Sequence, residues 1–225
     1  MQFAFFVIAF AAACGVSAGA QTAATQSTTA QGAPAQKPAA AEDIAGTDVG
    51  VNFFRTFTGS TSGNTTLQTP SNGYGAGVEV RQIRSPLVGY ELTYSFAQAD
   101  IGYQPSPGAC GFECFNEKEK LSGNASLVGM DWIASMKRGN ISPFAVGGTG
   151  FFIAVPTTNQ PALNTIVRFM WTAGGGVDVG ILPRAGLRIQ YRDNFYKAPD
   201  EDVRFAATDK FTHTGQAMIG FYFHL

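Results

Sequence analysis

Charged residues and histidines are both scarce in this sequence. Asp, Glu, Lys and Arg make up 14% of the chain, against roughly 25% in an average soluble domain. The net charge is -1, so no broad basic surface is present and no nucleic-acid partner is expected. Only two histidines occur, His213 and His224, and neither lies near Cys110 or Cys114 in sequence. We therefore predict neither a metal site nor a cofactor.

Long apolar runs are missing after the first residues. Residues 3–13 are continuously apolar, and Ala18-Gly19-Ala20 supplies the small residues of a cleavage site. This pattern predicts a secretory signal peptide over residues 1–20, because the run is too short to span a membrane. Two alternatives stay open: a buried N-terminal segment, and lipoprotein processing at Cys14 without the usual preceding Leu. No later stretch approaches eighteen apolar residues, so no membrane helix is predicted.

Residues 21–43 are rich in Ala, Pro, Gln and Thr. Up to residue 41 this segment has no aromatic residue and a single charge, Lys37. Such a composition cannot bury enough apolar surface to offset the entropy lost on ordering. The sequence therefore predicts a disordered periplasmic tether over residues 21–43, followed by one folded domain over residues 44–225.

Strand-like segments fill the predicted domain, and no segment of useful length has helical periodicity. Eight candidate strands run over residues 46–57, 73–83, 87–99, 120–135, 142–155, 164–181, 186–197 and 211–225. Long connections (58–72, 100–119, 156–163 and 198–210) alternate with short ones (84–86, 136–141 and 182–185). Long outside loops and short periplasmic turns are typical of transmembrane barrels. The predicted fold is all-β, an eight-stranded antiparallel up-and-down transmembrane β-barrel.

Alternation along these strands separates apolar from charged side chains. The charges predicted to point inward are Glu79, Arg81, Glu91, Arg168, Asp178, Arg188 and Arg192. An eight-stranded barrel is only wide enough inside for side chains, and unpaired buried charge is costly. We therefore expect an ion-paired plug. The inverted assignment, a soluble barrel with a ligand inside, is the alternative. Leu127 and Val128 break the alternation, which predicts a β-bulge there.

Three motifs resemble those of a known family. They are residues 142–150 (SPFAVGGTG), residues 174–178 (GGGVD) followed by 187–192 (LRIQYR), and the terminal residues 221–225 (FYFHL). The chain resembles the small outer-membrane β-barrel domain family, the eight-stranded OmpA/OmpX type, over residues 44–225. The resemblance implies a monomer in the lipid of a Gram-negative outer membrane. It also implies that Phe221, Phe223 and Leu225 form the assembly signal for the barrel-assembly machinery, with Leu225 where the family usually has Phe.

The resemblance identifies architecture and leaves activity open. We expect a non-enzymatic protein of the envelope, structural or adhesive, acting through loops 58–72 and 100–119 on an unidentified surface ligand. The alternatives are a narrow small-solute channel and a lipid A-modifying enzyme. For the enzyme, His213 lies near the outer end of the last strand, but it faces outward and its neighbouring hydroxyls are Thr212 and Thr214, not an activated serine.

Cys110 and Cys114 lie in the second long loop. In an oxidising compartment two cysteines at this spacing can close a small ring. We predict a local disulfide between them, with free thiols as the alternative.

Overall fold

The computed structural model describes residues 46–85, 87–105, 119–157, 164–200 and 207–225. The predicted signal peptide, the predicted tether, Cys110 and Cys114 lie outside the described residues. Among the described segments, no helix is long and apolar enough to cross a membrane.

Antiparallel strands make up most of the described chain. They are β1 (Gly46–Thr58), β2 (Thr61–Gly63), β3 (Thr66–Pro70), β4 (Tyr74–Ser85), β5 (Val88–Pro105), β6 (Glu119–Ser135), β7 (Ile141–Pro156), β8 (Ile166–Leu182), β9 (Ala185–Lys197) and β10 (Phe211–His224).

Eight of these strands close into a barrel. Strands β4 to β10 pair in chain order, and β1 pairs with β4 on one side and with β10 on the other. The closing register runs from Asp48 opposite His224 to Thr58 opposite Thr214. Closure gives each of these eight strands a neighbour on both sides, as spanning a bilayer with strands requires. The predicted eight-stranded up-and-down barrel is confirmed.

Strands β2 and β3 form a small hairpin where the sequence predicted only a loop. The reason lies in β5, which continues to Pro105, beyond its predicted end at residue 99. In this extension, Ile101 to Tyr103 pair with β6 on one side, and Ile101 to Pro105 pair with β3 on the other. The hairpin thus supplies hydrogen-bond partners to an edge that β4 is too short to cover.

The predicted bulge at Leu127 and Val128 is wrong. Strand β6 keeps a continuous register with both β5 and β7 through these residues. Leu127 points inward at 5% exposure and Val128 points outward at 39%. The alternation looked broken only because the inward residue at this level is apolar. The register shifts lie instead beside two short turns, between Ile83 and Ser85 and between Gly180 and Leu182.

The barrel has two different ends. The short-turn end carries the β4–β5, β6–β7 and β8–β9 turns together with Gly46 and Leu225, and the long-loop end carries the other connections. Large apolar side chains face outward along the strands, among them Phe53, Leu92, Met130, Trp171 and Ile219. Inside, an apolar cluster fills the half towards the long-loop end: Ala125, Leu127, Phe152, Ala154, Met170 and Tyr196.

Candidate functional site

Charged side chains from six strands meet inside the half of the barrel towards the short-turn end. Alternation in β4 brings Glu79 and Arg81 inward, and the same alternation brings Arg188 and Arg192 inward from β9. These four side chains are at most 3% exposed. We call them, with Asp48, Glu91, Asp131 and Asp178, the interior network.

Arg81 and Arg188 share the carboxylate of Asp178. Arg188 donates from Nε to Oδ1 at 2.6 Å and from Nη2 to Oδ2 at 2.8 Å, a two-point contact that fixes both groups. Arg81 Nη1 reaches Oδ2 at 3.0 Å. The other side of Arg188 contacts Glu79. This arrangement ties β4, β8 and β9 together across the interior.

The second part of the network centres on Glu91. Arg81 Nη2 lies 2.6 Å from Glu91 Oε2, and Arg192 contacts the other oxygen. Arg192 Nη1 also donates to Asp131 Oδ2 at 2.6 Å. Strands β5 and β6 are thereby joined to the same network.

Carboxylates outnumber guanidinium groups in this network. Three arginines face five acidic side chains: Asp48, Glu79, Glu91, Asp131 and Asp178. Neutral donors contribute as well, since Asn52 Nδ2 donates to Glu79 Oε2 at 2.8 Å. Aromatic rings also contact the cations. Arg81 Cζ lies 4.1 Å from the centroid of Phe144, and Arg188 Cζ lies 4.9 Å from that of Tyr222.

Six of the seven charges expected inside meet in this network, and the structure places Arg168 elsewhere. Arg168 is half-buried towards the long-loop end, with Nη2 3.5 Å from Asp200 Oδ2. Sequence reasoning missed Asp48 and Asp131. Both could have been found from the alternation of inward and outward side chains. Asp48 precedes the outward Val49, and Asp131 lies between the outward Met130 and Trp132.

The interior above the network is nearly filled. A cavity of about 10 Å³ remains beside Asn52, Arg192 and Gln216, which is about the space that one water molecule needs. A second cavity of about 40 Å³ lies higher, between Thr56, Phe152 and Tyr196. The rings of Phe152 and Tyr196 stack there with centroids 4.3 Å apart.

The start of the β9–β10 connection covers part of the long-loop end. Gln68 Nε2 and the Tyr103 hydroxyl donate to the carbonyl oxygen of Pro199 at 3.0 and 3.1 Å. Beside this cover, exposed ion pairs lie along the rim of the long-loop end. Hydrogen bonds from Lys120 to Asp100 and from Lys197 to Asp209 hold the pKa of each carboxyl below its usual range.

Each histidine contacts an aspartate. His213 faces outward, with Nδ1 2.9 Å from Asp193 Oδ1 and its ring stacked on Phe195. Thr212 and Thr214 face the interior, and in the described segments no serine hydroxyl is hydrogen-bonded to His213. His224, at the short-turn end, places Nδ1 2.8 Å from Asp48 Oδ1.

The three residues of the expected assembly signal face outward at the short-turn end. Phe221, Phe223 and Leu225 are 56%, 55% and 78% exposed. Phe221 and Phe223 lie opposite Val51 and Val49 of β1, whose side chains also face outward. Across the described segments, no group of three or more His, Cys, Asp or Glu side chains is placed to hold a metal ion.

The closed antiparallel barrel, apolar outside and charged inside, is the fold of the small eight-stranded outer-membrane barrels, as the sequence predicted. Solved structures agree. Neisserial surface protein A matches with a TM-score of 0.50 and 11% identity, over 80% of this chain and 98% of that one. The outer membrane protein OprG from Pseudomonas aeruginosa matches with a TM-score of 0.55 and 12% identity, over 80% and 96%. Identities this low show likeness of fold alone. No family model and no curated protein matches the chain.

Proposed function

We propose that the chain is an integral, non-enzymatic protein of the bacterial outer membrane that contributes to envelope structure or surface adhesion. One observation carries the location: the outward face is apolar all the way round the barrel. Leu92, Trp132, Phe151, Trp171 and Ile219, from five different strands, are each at least 47% exposed. A surface of this kind requires lipid around it. The soluble alternative would place these side chains inside.

The partners follow from the same surface. Lipid surrounds the barrel, and the pairing of its eight main strands within one chain supports a monomer. We further propose that Phe221, Phe223 and Leu225 are read by the barrel-assembly machinery during insertion. The filled interior favours a role at the membrane surface over solute transport, so the loops at the long-loop end are the parts left to contact a ligand.

A lipid-modifying enzyme is the second candidate, because one observation favours it. The outward contact between His213 and Asp193 resembles the histidine–aspartate pair of a Ser-His-Asp catalytic triad. A nucleophile is needed as well. Mass spectrometry of lipid A from cells with and without the chain tests this candidate. An acyl mass shift that H213A abolishes would replace the non-enzymatic proposal.

Fractionation tests the proposed location. We expect the chain in the outer-membrane fraction, with a gel mobility in SDS that changes on boiling, because a closed barrel resists SDS until it is heated. A periplasmic protein without a mobility change would overturn the proposal in favour of a soluble ligand-binding barrel.

Replacement of the β2–β3 hairpin tests the adhesive role. Cells carrying a chain in which residues 61–70 are replaced by a short Gly-Ser linker are expected to lose binding to epithelial monolayers. The change in mobility on boiling should persist, which separates loss of the surface from loss of the barrel. Unchanged binding by this variant and by a second one, shortened within 100–119, would contradict a loop-mediated role.

A further inference from the structure

The cavity of about 10 Å³ inside the barrel is lined by side chains that keep polar atoms without partners. Asn52, Arg192 and Gln216, from β1, β9 and β10, all line it and are at most 3% exposed. In the described chain, no hydrogen-bond partner is present for Asn52 Oδ1, Arg192 Nε or Gln216 Nε2. A buried polar atom without a partner is unfavourable. Three such side chains around one cavity therefore point to a ligand inside it.

The neighbouring hydrogen bonds determine which end of each amide is left over. Asn52 Nδ2 donates to the Glu79 carboxylate at 2.8 Å, so the oxygen of Asn52 remains. Asn194 Nδ2 donates to the carbonyl oxygen of Thr214 at 3.4 Å and to Gln216 Oε1 at 3.2 Å. The nitrogen of Gln216 therefore remains. Carboxylate and carbonyl oxygens only accept, so the flipped orientation of Asn52 or Asn194 would lose these bonds.

The guanidinium of Arg192 leaves one donor in the same way. Its Nη1 donates to Asp131 and its Nη2 contacts Glu91, whereas Nε has no partner in the described chain. The three remaining atoms are thus two donors, on Arg192 and Gln216, and one acceptor, on Asn52. A cation cannot satisfy the donors, and an anion cannot satisfy the acceptor. Only a molecule that both donates and accepts hydrogen bonds can bind all three.

The size of the cavity identifies this molecule. A water molecule needs a cavity of about 10–15 Å³ and makes about three hydrogen bonds when buried. The cavity of about 10 Å³ meets that size and is too small for an organic ligand. The three side chains supply the matching number of hydrogen-bond partners.

We propose that this cavity binds one water molecule, which accepts hydrogen bonds from Arg192 Nε and Gln216 Nε2 and donates one to Asn52 Oδ1. Asn52 bonds to Glu79 on one side of the water, and Gln216 bonds to Asn194 on the other. The water thereby connects the interior network to the polar side chains above it. This site is independent of the surface role proposed for the protein.

A high-resolution crystal structure of the full chain, purified in detergent, tests the site directly. We expect one density peak about 2.7–3.2 Å from Asn52 Oδ1, Arg192 Nε and Gln216 Nε2. A cavity without density, or a direct hydrogen bond between Asn52 and Gln216, would overturn the proposal. Crystals soaked in rubidium chloride provide a second arm, because an anomalous signal at the peak would identify a cation instead of water.

A double-mutant cycle tests the bridge in a bilayer. N52L and Q216M each remove one partner of the same water, so their effects on the unfolding equilibrium constant in vesicles should deviate from additivity by about tenfold. The matched control combines N52L with Q68M. Gln68 is as buried as Gln216 but bonds to Pro199 at the long-loop end, so the control pair should be additive. Additive effects of N52L and Q216M would contradict a shared water.

The two experiments do not depend on each other. The gel shift on boiling shows which variants have formed the barrel, and only those enter the cycle. The crystal structure needs no variant, so it decides the proposal even if N52L or Q216M does not fold.

Discussion

Arg188 is the residue on which the interior network depends most. Its guanidinium contacts Asp178 at two points, touches Glu79 and lies 3.5 Å from Asp48. Removing it leaves these carboxylates buried with one fewer cation. An uncompensated buried charge costs far more than an exposed one, because the interior cannot solvate it.

Replacing Arg188 by Met is therefore expected to lower the free energy of unfolding by about 3–5 kcal/mol. Urea unfolding of the vesicle-inserted barrel, followed by tryptophan fluorescence, measures this change. K120M is the matched control: it breaks an exposed pair with Asp100 and should cost about 0–1 kcal/mol. A loss for R188M no larger than that of the control would show that the network does not stabilise the barrel.

The alternation of inward and outward side chains along each strand explains which interior residues the sequence could predict. Glu79, Arg81 and Arg188 alternate with apolar neighbours in strands that keep a clean period of two, so their faces were readable. Asp131 was missed because inward Leu127 made β6 look irregular. Arg168 could not be assigned to a level, since its partner Asp200 comes from a connection with no periodicity.

At the scale of elements, the glycines of β7 set how closely two strands approach. A Cβ at Gly150 would lie 2.1 Å from the carbonyl oxygen of Val128 and 2.8 Å from the Cα of Gly129. At Gly147, three residues earlier, the nearest such atom is 3.9 Å away. The first position thus requires glycine for lack of space, and the second does not.

We accordingly expect G150A to destabilise the barrel by about 1–3 kcal/mol, because the backbone of β6 must shift to admit the methyl group. G147A, on the same strand, should stay within about 0.5 kcal/mol of the unchanged chain. The midpoint of urea unfolding in vesicles distinguishes them. Equal midpoints for the two variants would rule out close strand approach at Gly150.

Strand β10 provides a test of depth in the membrane. Ile219 lies well within the strand and Phe211 begins it, and both face outward. I219R should cost about 2–4 kcal/mol in a bilayer, while F211R, near the long-loop end, should cost about 0–1 kcal/mol. Unfolding from phosphatidylcholine vesicles measures both. Equal costs would mean that these two positions lie at similar depths or that the barrel is not embedded as proposed.

The hairpin of β2 and β3 is an element that the sequence did not predict. Its residues are short polar stretches without alternation over a useful length, so the sequence indicated a loop. The hairpin forms because β5 presents an unpaired edge there. That edge is a tertiary feature, and no local pattern in residues 61–70 records it.

At the scale of the whole molecule, the filled interior argues against the passage of solutes through the barrel. The network spans the barrel from β4 to β9, and the cavity above it holds about 10 Å³. We expect no resolved single-channel steps in planar bilayers, because moving ions would have to displace buried ion pairs. The measurement uses purified barrel whose gel mobility in SDS changes on boiling. Reproducible conductance that R188M or R192M alters would instead support the narrow channel.

The overall fold was predictable because lipid imposes simple rules. Closure, alternation and the difference between long loops and short turns are all visible in a single sequence. A cavity of about 490 Å³ at the short-turn end was not predictable, since Asp48, Ser135, Asp178 and Tyr222, which line it, come from four strands. Only the barrel curvature brings these positions to one level.

The pairing of β1 with β10 also constrains when the barrel can be completed. Asp48 and His224, which meet at this seam, are 176 positions apart in the chain. Contacts so distant in sequence form slowly, because the chain loses the entropy of closing a long loop before these contacts can stabilise it. Until β10 arrives, one edge of β1 stays open to wrong partners. We therefore expect completion of the barrel to depend on this edge staying covered until β10 pairs with it.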